Sequence, residues 1–171
     1  AEAETKLNDT KSALEDYNTV LIYEPRNAYA YFNRAILYAG IRQYKNAIDD
    51  FDKVLQINPD NVQTLFNHAQ LKRNIKDYNG AIKDYDKIIE LYPYFIEAYY
   101  NRAQVKYTLN DGAGAKKDMN TGKMMSDVFH AKNNKQLSRD STLIVNLLQL
   151  NADFNNGQQN EIDPPNIQFQ P

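Results

Sequence analysis

The sequence predicts an all-α solenoid of stacked antiparallel helix pairs, on three observations. A five-residue phrase recurs as YFNRA at 31–35, LFNHA at 65–69 and YYNRA at 99–103, setting Asn33, Asn67 and Asn101 34 residues apart. That period is typical of a helix–turn–helix unit stacked on copies of itself. Small, aromatic and proline residues recur on the same period. Finally, AIDDFDKVL and AIKDYDKII space their apolar residues i, i+1, i+4, i+7 and i+8, which suits a helix and not a strand.

Each unit can be numbered from Ala28, Val62 and Ile96 as position 1. Position 8 is then Ala35, Ala69 and Ala103, and position 20 is Ala47, Ala81 and Ala115. Alanine at both places lets the two helices of a hairpin approach closely, because side-chain bulk sets interaxial distance. Position 4 (Tyr31, Leu65, Tyr99) and position 24 (Phe51, Tyr85, Met119) supply the bulk around that contact. Position 32 is Pro59 and Pro93, which end the second helix because proline cannot donate the helical hydrogen bond. The third unit has Asp127 there, so KKDMNTGKMMSDVFHAKNNK is expected to run on as a longer helix to roughly residue 133. Gly112 and Gly114 are expected to weaken that helix near its start. Turn position 15, where glycine would relax the backbone, is Arg42, Lys76 and Asn110.

The register also extends backwards. Ala13, Tyr17 and Pro25 fill positions 20, 24 and 32 of an earlier unit, so the chain is expected to open inside a first helix, as a piece of a longer repeat protein. After the repeats, Asp140 and Ser141 are helix N-cap types in front of TLIVNLLQL. Leu143, Ile144, Leu147 and Leu148 would form one apolar stripe against the last repeat, with an extended conformation as the alternative. From Asn155 onward the chain is rich in Asn, Gln and Pro and reads as a loose tail, in which NIQFQ alternates like a short strand.

These residues resemble the tetratricopeptide repeat (TPR) family, in the form whose first helix reads YNRA or YNRG, over residues 1–125. The resemblance implies a right-handed superhelix. Its expected parts are a partial repeat at 1–27, full repeats at 28–61, 62–95 and 96–129, a solenoid to residue 133, a capping segment at 134–154 and a tail at 155–171. The ending LNADF…NIQFQP resembles large multi-repeat bacterial TPR proteins, many of them exported. That implies a periplasmic or cell-envelope address, with the cytoplasm as the alternative.

Composition narrows the function classes. A formal charge of −2 with 25% charged residues carries no basic footprint for nucleic acid. No run of about 18 apolar residues is present to span a bilayer. Without cysteine there is no disulfide, thiolate nucleophile or sulfur-ligated zinc. No Gly-rich phosphate loop, Walker-type lysine or HExxH pattern occurs, so neither catalysis, a cofactor nor a metal is expected. Asp49, Asp50 and Asp52 form an acidic run, but adjacent helical residues point apart and nearby lysines suit a solvated face.

The histidines are His68 and His130. His68 occupies position 7, where the other units have Arg34 and Arg102, and reads either as a packing or hydrogen-bonding substitute or as a functional group. Position 23 is Asp16, Asp50, Asp84 and Asp118, so Arg–Asp ion pairs are expected between first and second helices, within or between adjacent repeats.

In the TPR arrangement the first helices line a concave groove, and positions 2, 5, 6, 9, 12 and 13 point into it. The resemblance therefore implies a partner-binding groove of Tyr29, Phe32, Asn33, Ile36, Phe66, Asn67, Gln70, Arg73, Tyr100, Asn101, Gln104 and Tyr107. The asparagines either tie neighbouring first helices together or grip the main chain of an extended peptide, since an amide both donates and accepts. Phe32, Phe66 and Tyr100 would then receive its side chains. The carboxylate clamp of chaperone-binding TPR domains is not expected, because Asn67 is present but Phe32, Ile36, Glu97 and Asn101 stand at its other places. The expected role is a non-catalytic scaffold for a protein or peptide, with no nucleic acid and no membrane insertion. The alternative is a spacer or self-association segment of a longer array.

Overall fold

A computed structural model describes residues 2–134, with side chains described for residues 9–129. The predicted capping segment after residue 134 and the tail lie outside these residues, as does the side chain of His130. Among the described residues there are seven helices and no strand: α1 (Glu2–Tyr23), α2 (Ala28–Gly40), α3 (Tyr44–Ile57), α4 (Val62–Asn74), α5 (Tyr78–Leu91), α6 (Ile96–Thr108) and α7 (Gly112–Asn134). The chain divides within α5 into two compact units, residues 1–84 and 85–171. None of the described helices is long and apolar enough to cross a membrane.

The start and stop of each helix follow from particular residues. Asn27 and Asn61 cap α2 and α4, each side-chain oxygen accepting a hydrogen bond at 2.8 Å from the backbone N–H three residues on. Asp77 and Asp111 do the same at α5 and α7, bonding the N–H groups of Gly80 and Gly114 at 3.0 and 2.8 Å. Gly114 therefore has a local role beyond lowering helix propensity: a Cβ there would collide with the Asp111 carboxylate in its capping pose. Pro25, Pro59 and Pro93 each stand two residues past the end of a helix. Asp127 imposes no such stop, and α7 continues to Asn134.

Each first helix closes with the same hydrogen-bonded turn. After α2, Gln43 N–H bonds Tyr38 C=O at 2.8 Å and Arg42 N–H bonds Ala39 C=O at 3.0 Å. Equivalent pairs follow α4, through Asp77 and Lys76, and α6, through Asp111 and Asn110. This is the Schellman arrangement, which needs a left-handed residue at its centre. Arg42, Lys76 and Asn110 take that conformation at φ 60°, 65° and 62°. The turns are thus made by non-glycine residues in a region that disfavours Cβ.

In unit 1, Ala35, Ala47, Ala69 and Ala81 are fully buried where the helices approach. Phe51, also fully buried, lies between the Phe32 ring at 5.5 Å and the His68 ring at 6.5 Å. In unit 2, Ala103 and Ala115 fill the matching places between α6 and α7. Position 24 departs from expectation there, because Met119 is 51% exposed where Phe51 and Tyr85 are wholly buried. Phe51 is covered partly by the first helix of the following repeat, and among the described residues none follows α7.

Candidate interaction surface

On α2, Tyr29, Asn33 and Ile36 fall at i, i+4 and i+7 and so form one stripe along the helix. Tyr29 is 50% exposed and Ile36 41%, while Asn33 between them is only 4% exposed. Among the described residues, neither the amide nitrogen nor the oxygen of Asn33 has a hydrogen-bond partner. A buried amide in that state is costly, about 1–3 kcal/mol for each unsatisfied group. Such a group makes either a strained core or a prepared contact.

Phe32 does not belong to this stripe. It sits one residue, or about 100° of helix rotation, from Asn33 and packs on the core of Ala35, Ala47, Phe51 and Leu71. Phe66 on α4 is likewise buried. Phe32 is partly buried and Phe66 4% exposed, so these two rings present less open surface than Tyr100. On α4 the more accessible groove residues are Gln70, exposed, with Asn67 and Arg73 half-buried.

Unit 2 keeps its position-5 aromatic at the surface. It lies against Gly122 on α7, where Val54 and Ile88 hold the equivalent place in the earlier repeats. A Cβ at Gly122 would come within 3.0 Å of the Tyr100 ring, so the ring rests against a bare helix backbone. Tyr100 and Gln104 are exposed beside it, and Tyr107, two turns on from Tyr100, is 75% exposed. Asn101 donates a hydrogen bond at 2.8 Å to the carbonyl of Glu97, one turn back in its own helix.

The predicted ion pairs are present, and each arginine also holds a second partner on the preceding helix. Arg34 forks onto Asp50 with hydrogen bonds of 2.8 and 2.6 Å, and its remaining nitrogen donates to Asn18 at 2.6 Å. Arg102 forks onto Asp118 at 2.8 and 2.6 Å and reaches Asp86 at 2.6 Å. One guanidinium therefore ties a first helix both to its own second helix and to the one before. The hydrogen bonds to Asp50 hold the Arg34 guanidinium above its ordinary pKa. Burial works against charge on Arg102 and on Asp118. Their mutual pairing, with Lys106 at 2.8 Å from Asp118, prevails, raising the Arg102 pKa and lowering that of Asp118.

The outer arm of this clasp was missed, although its signal was on the same period: Asn18, Asp52 and Asp86 are 34 residues apart. In the acidic run on α3, Asp50 is buried in the clasp, whereas Asp49 and Asp52 are exposed.

Comparisons with known proteins agree with this geometry. Two family models described as tetratricopeptide repeat match the chain, one over residues 5–72 and one over 62–95. No curated protein sequence matches. A crystal structure of MamA is similar at TM-score 0.66 and 17% identity, covering 91% of this chain and 94% of that one. A second MamA structure gives 0.65 at 15% identity, over 95% and 93%. The second TPR of Spaghetti (RPAP3), bound to the HSP90 peptide SRMEEVD, gives 0.54 at 21% identity, over 60% of this chain and 95% of its own. The repeated hairpins, the periodic alanine contacts and these matches together show that the chain belongs to the tetratricopeptide repeat family.

Proposed function

We propose that this chain is a non-catalytic protein–protein interaction scaffold that receives an extended segment of a partner on the exposed faces of its first helices. The observation that carries this reading is the α2 stripe, a buried amide without a partner among the described residues, flanked by the accessible apolar groups of Tyr29 and Ile36. A peptide main chain offers the donor and acceptor that such an amide lacks, and the flanking groups would contact its side chains. Tyr100, Gln104 and Tyr107 form the corresponding face of unit 2. The Spaghetti domain binds a peptide with an acidic end. This chain lacks the clamp residues for a terminal carboxylate, so its ligand is a neutral or mildly basic, partly apolar segment.

The test is selection of short peptides from a random library on the full chain, followed by affinity measurements on variants. Tyr29→Ala with Ile36→Ala, and Tyr100→Ala with Tyr107→Ala, change largely exposed groups. At least one pair should weaken binding about tenfold or more while unfolding stability changes by about 1 kcal/mol or less. A selected peptide whose affinity is unaffected by both pairs would remove the proposal. A second reading, self-association, is favoured by the exposed Ile22, Tyr23 and Met119. Sedimentation that depends on concentration, and that Met119→Lys abolishes, would support it.

A further inference from the structure

Glu97 stands in the first turn of α6, the helix that carries the exposed face of unit 2. The residue is half-buried, and its Oε2 is enclosed by protein with no hydrogen-bond partner among the described residues. A carboxylate oxygen in that state is costly, because it has lost water and gained no donor. The two cations of α6 itself are engaged elsewhere. Arg102 forks onto Asp118 and reaches Asp86, and Lys106 lies 2.8 Å from Asp118. The helix start explains part of the placement, since negative charge is favoured in a first turn. That effect needs no burial, so the enclosed oxygen calls for a second reason.

Helical spacing sets what lies beside Glu97. Tyr100, Gln104 and Tyr107 follow at i+3, i+7 and i+10, which puts all four residues on one face of α6. Tyr100 is the nearest of them, about 4.5 Å of rise along the axis. Its ring is backed by the bare backbone of α7 at Gly122 and is 37% exposed. A carboxylate beside an open aromatic ring suits a cation. The carboxylate accepts charge-assisted hydrogen bonds from an ammonium or guanidinium, and the ring face attracts the same charge through its quadrupole. Lysine and arginine also carry an apolar stem, which can lie along the ring while the head reaches the carboxylate. The other full repeats have Tyr29 and Gln63 at this position, so among them only the third carries charge there.

We propose that Glu97 and Tyr100 form a subsite for one lysine or arginine of the bound segment. The inference rests on the reading that a partner segment lies on the first helices, and it assigns the basic residue of that segment to unit 2. A carboxylate approaching the same place is repelled, so the subsite also selects against acidic segments.

The test uses peptides selected from a random library on the full chain. Peptides that depend on Tyr100 and Tyr107 should be enriched in lysine or arginine. In the tightest of them, replacing that residue by norleucine, which keeps an apolar stem and removes the charge, should weaken binding to wild type about tenfold. The same replacement should cost less than about twofold on Glu97→Gln, where the charge has lost its partner. Selection on Glu97→Lys should favour acidic peptides instead. A purely structural role for Glu97 would weaken both peptides equally on Glu97→Gln and leave the tenfold difference in place, which would overturn the proposal. Selected peptides that carry no basic residue, or that need only Tyr29 and Ile36, would also overturn it, and the scaffold reading would still stand. Peptides insensitive to both groove pairs of substitutions would remove the scaffold reading and this subsite together.

Discussion

Arg34 illustrates how a single side chain sets the geometry between helices. Its fork fixes both distance and orientation toward Asp50, and its third bond reaches Asn18 on the helix before. Replacing it with Ala would leave the buried Asp50 carboxylate without its partner, at an expected cost of about 3 kcal/mol in unfolding stability. Lysine should recover only part of this, because a point charge cannot reproduce the fork. A double-mutant cycle on Arg34 and Asp50 checks the claim, and an absent coupling energy would contradict it. Asp118 adds a pH dependence of known sign. Its pKa is held down in the folded state, so its contribution is present above the ordinary carboxylate range and is lost as pH falls through the lowered folded value. Acid unfolding of Asp118→Asn should accordingly show a shallower loss of stability below about pH 4 than wild type.

The turns after α2, α4 and α6 make a different prediction for the helical elements. All three place a side chain where glycine is preferred, at some cost in backbone strain. Lys76→Gly should raise stability by up to about 1 kcal/mol, and Asn110→Gly by less, because asparagine tolerates the left-handed region better. Denaturant melts would decide it, and a loss of stability in Lys76→Gly would mean that its side chain matters more than its φ angle. Helix existence was legible in the sequence because alanine, aromatic and proline positions repeat on one period, and each repetition restates the same hairpin. The Arg–Asp pairing was legible for the same reason. The fate of Phe32 and Phe66 was not, because one residue of helical rotation separates a groove position from a core position. The most exposed position-5 aromatic, Tyr100, is the one that lies against Gly122 in place of the bulk found in the other repeats. That contrast depends on a residue 22 positions away and shows only in three dimensions.

At the scale of the whole molecule, a repeat chain gains stability by stacking similar hairpins, so each hairpin can spend some of its surface on something else. The departures from strict repetition are where this chain differs from its own pattern: histidine in the second clasp, glycine beneath Tyr100, and an amide on α2 buried without a partner among the described residues. The candidate site was half legible. Sequence singled out Asn33 as part of a row, but only the structure separates it from Asn101, whose amide bonds its own helix. The most direct measurement pairs a thermal melt with peptide affinity for Asn33→Leu, which keeps the bulk and removes the amide. If the amide is held for a ligand, Tm should stay level or rise, because an unsatisfied polar group has left the interior, and affinity for a selected peptide should fall about tenfold or more. A marked fall in Tm with affinity unchanged would contradict the account, and Asn33 would then be part of the scaffold alone.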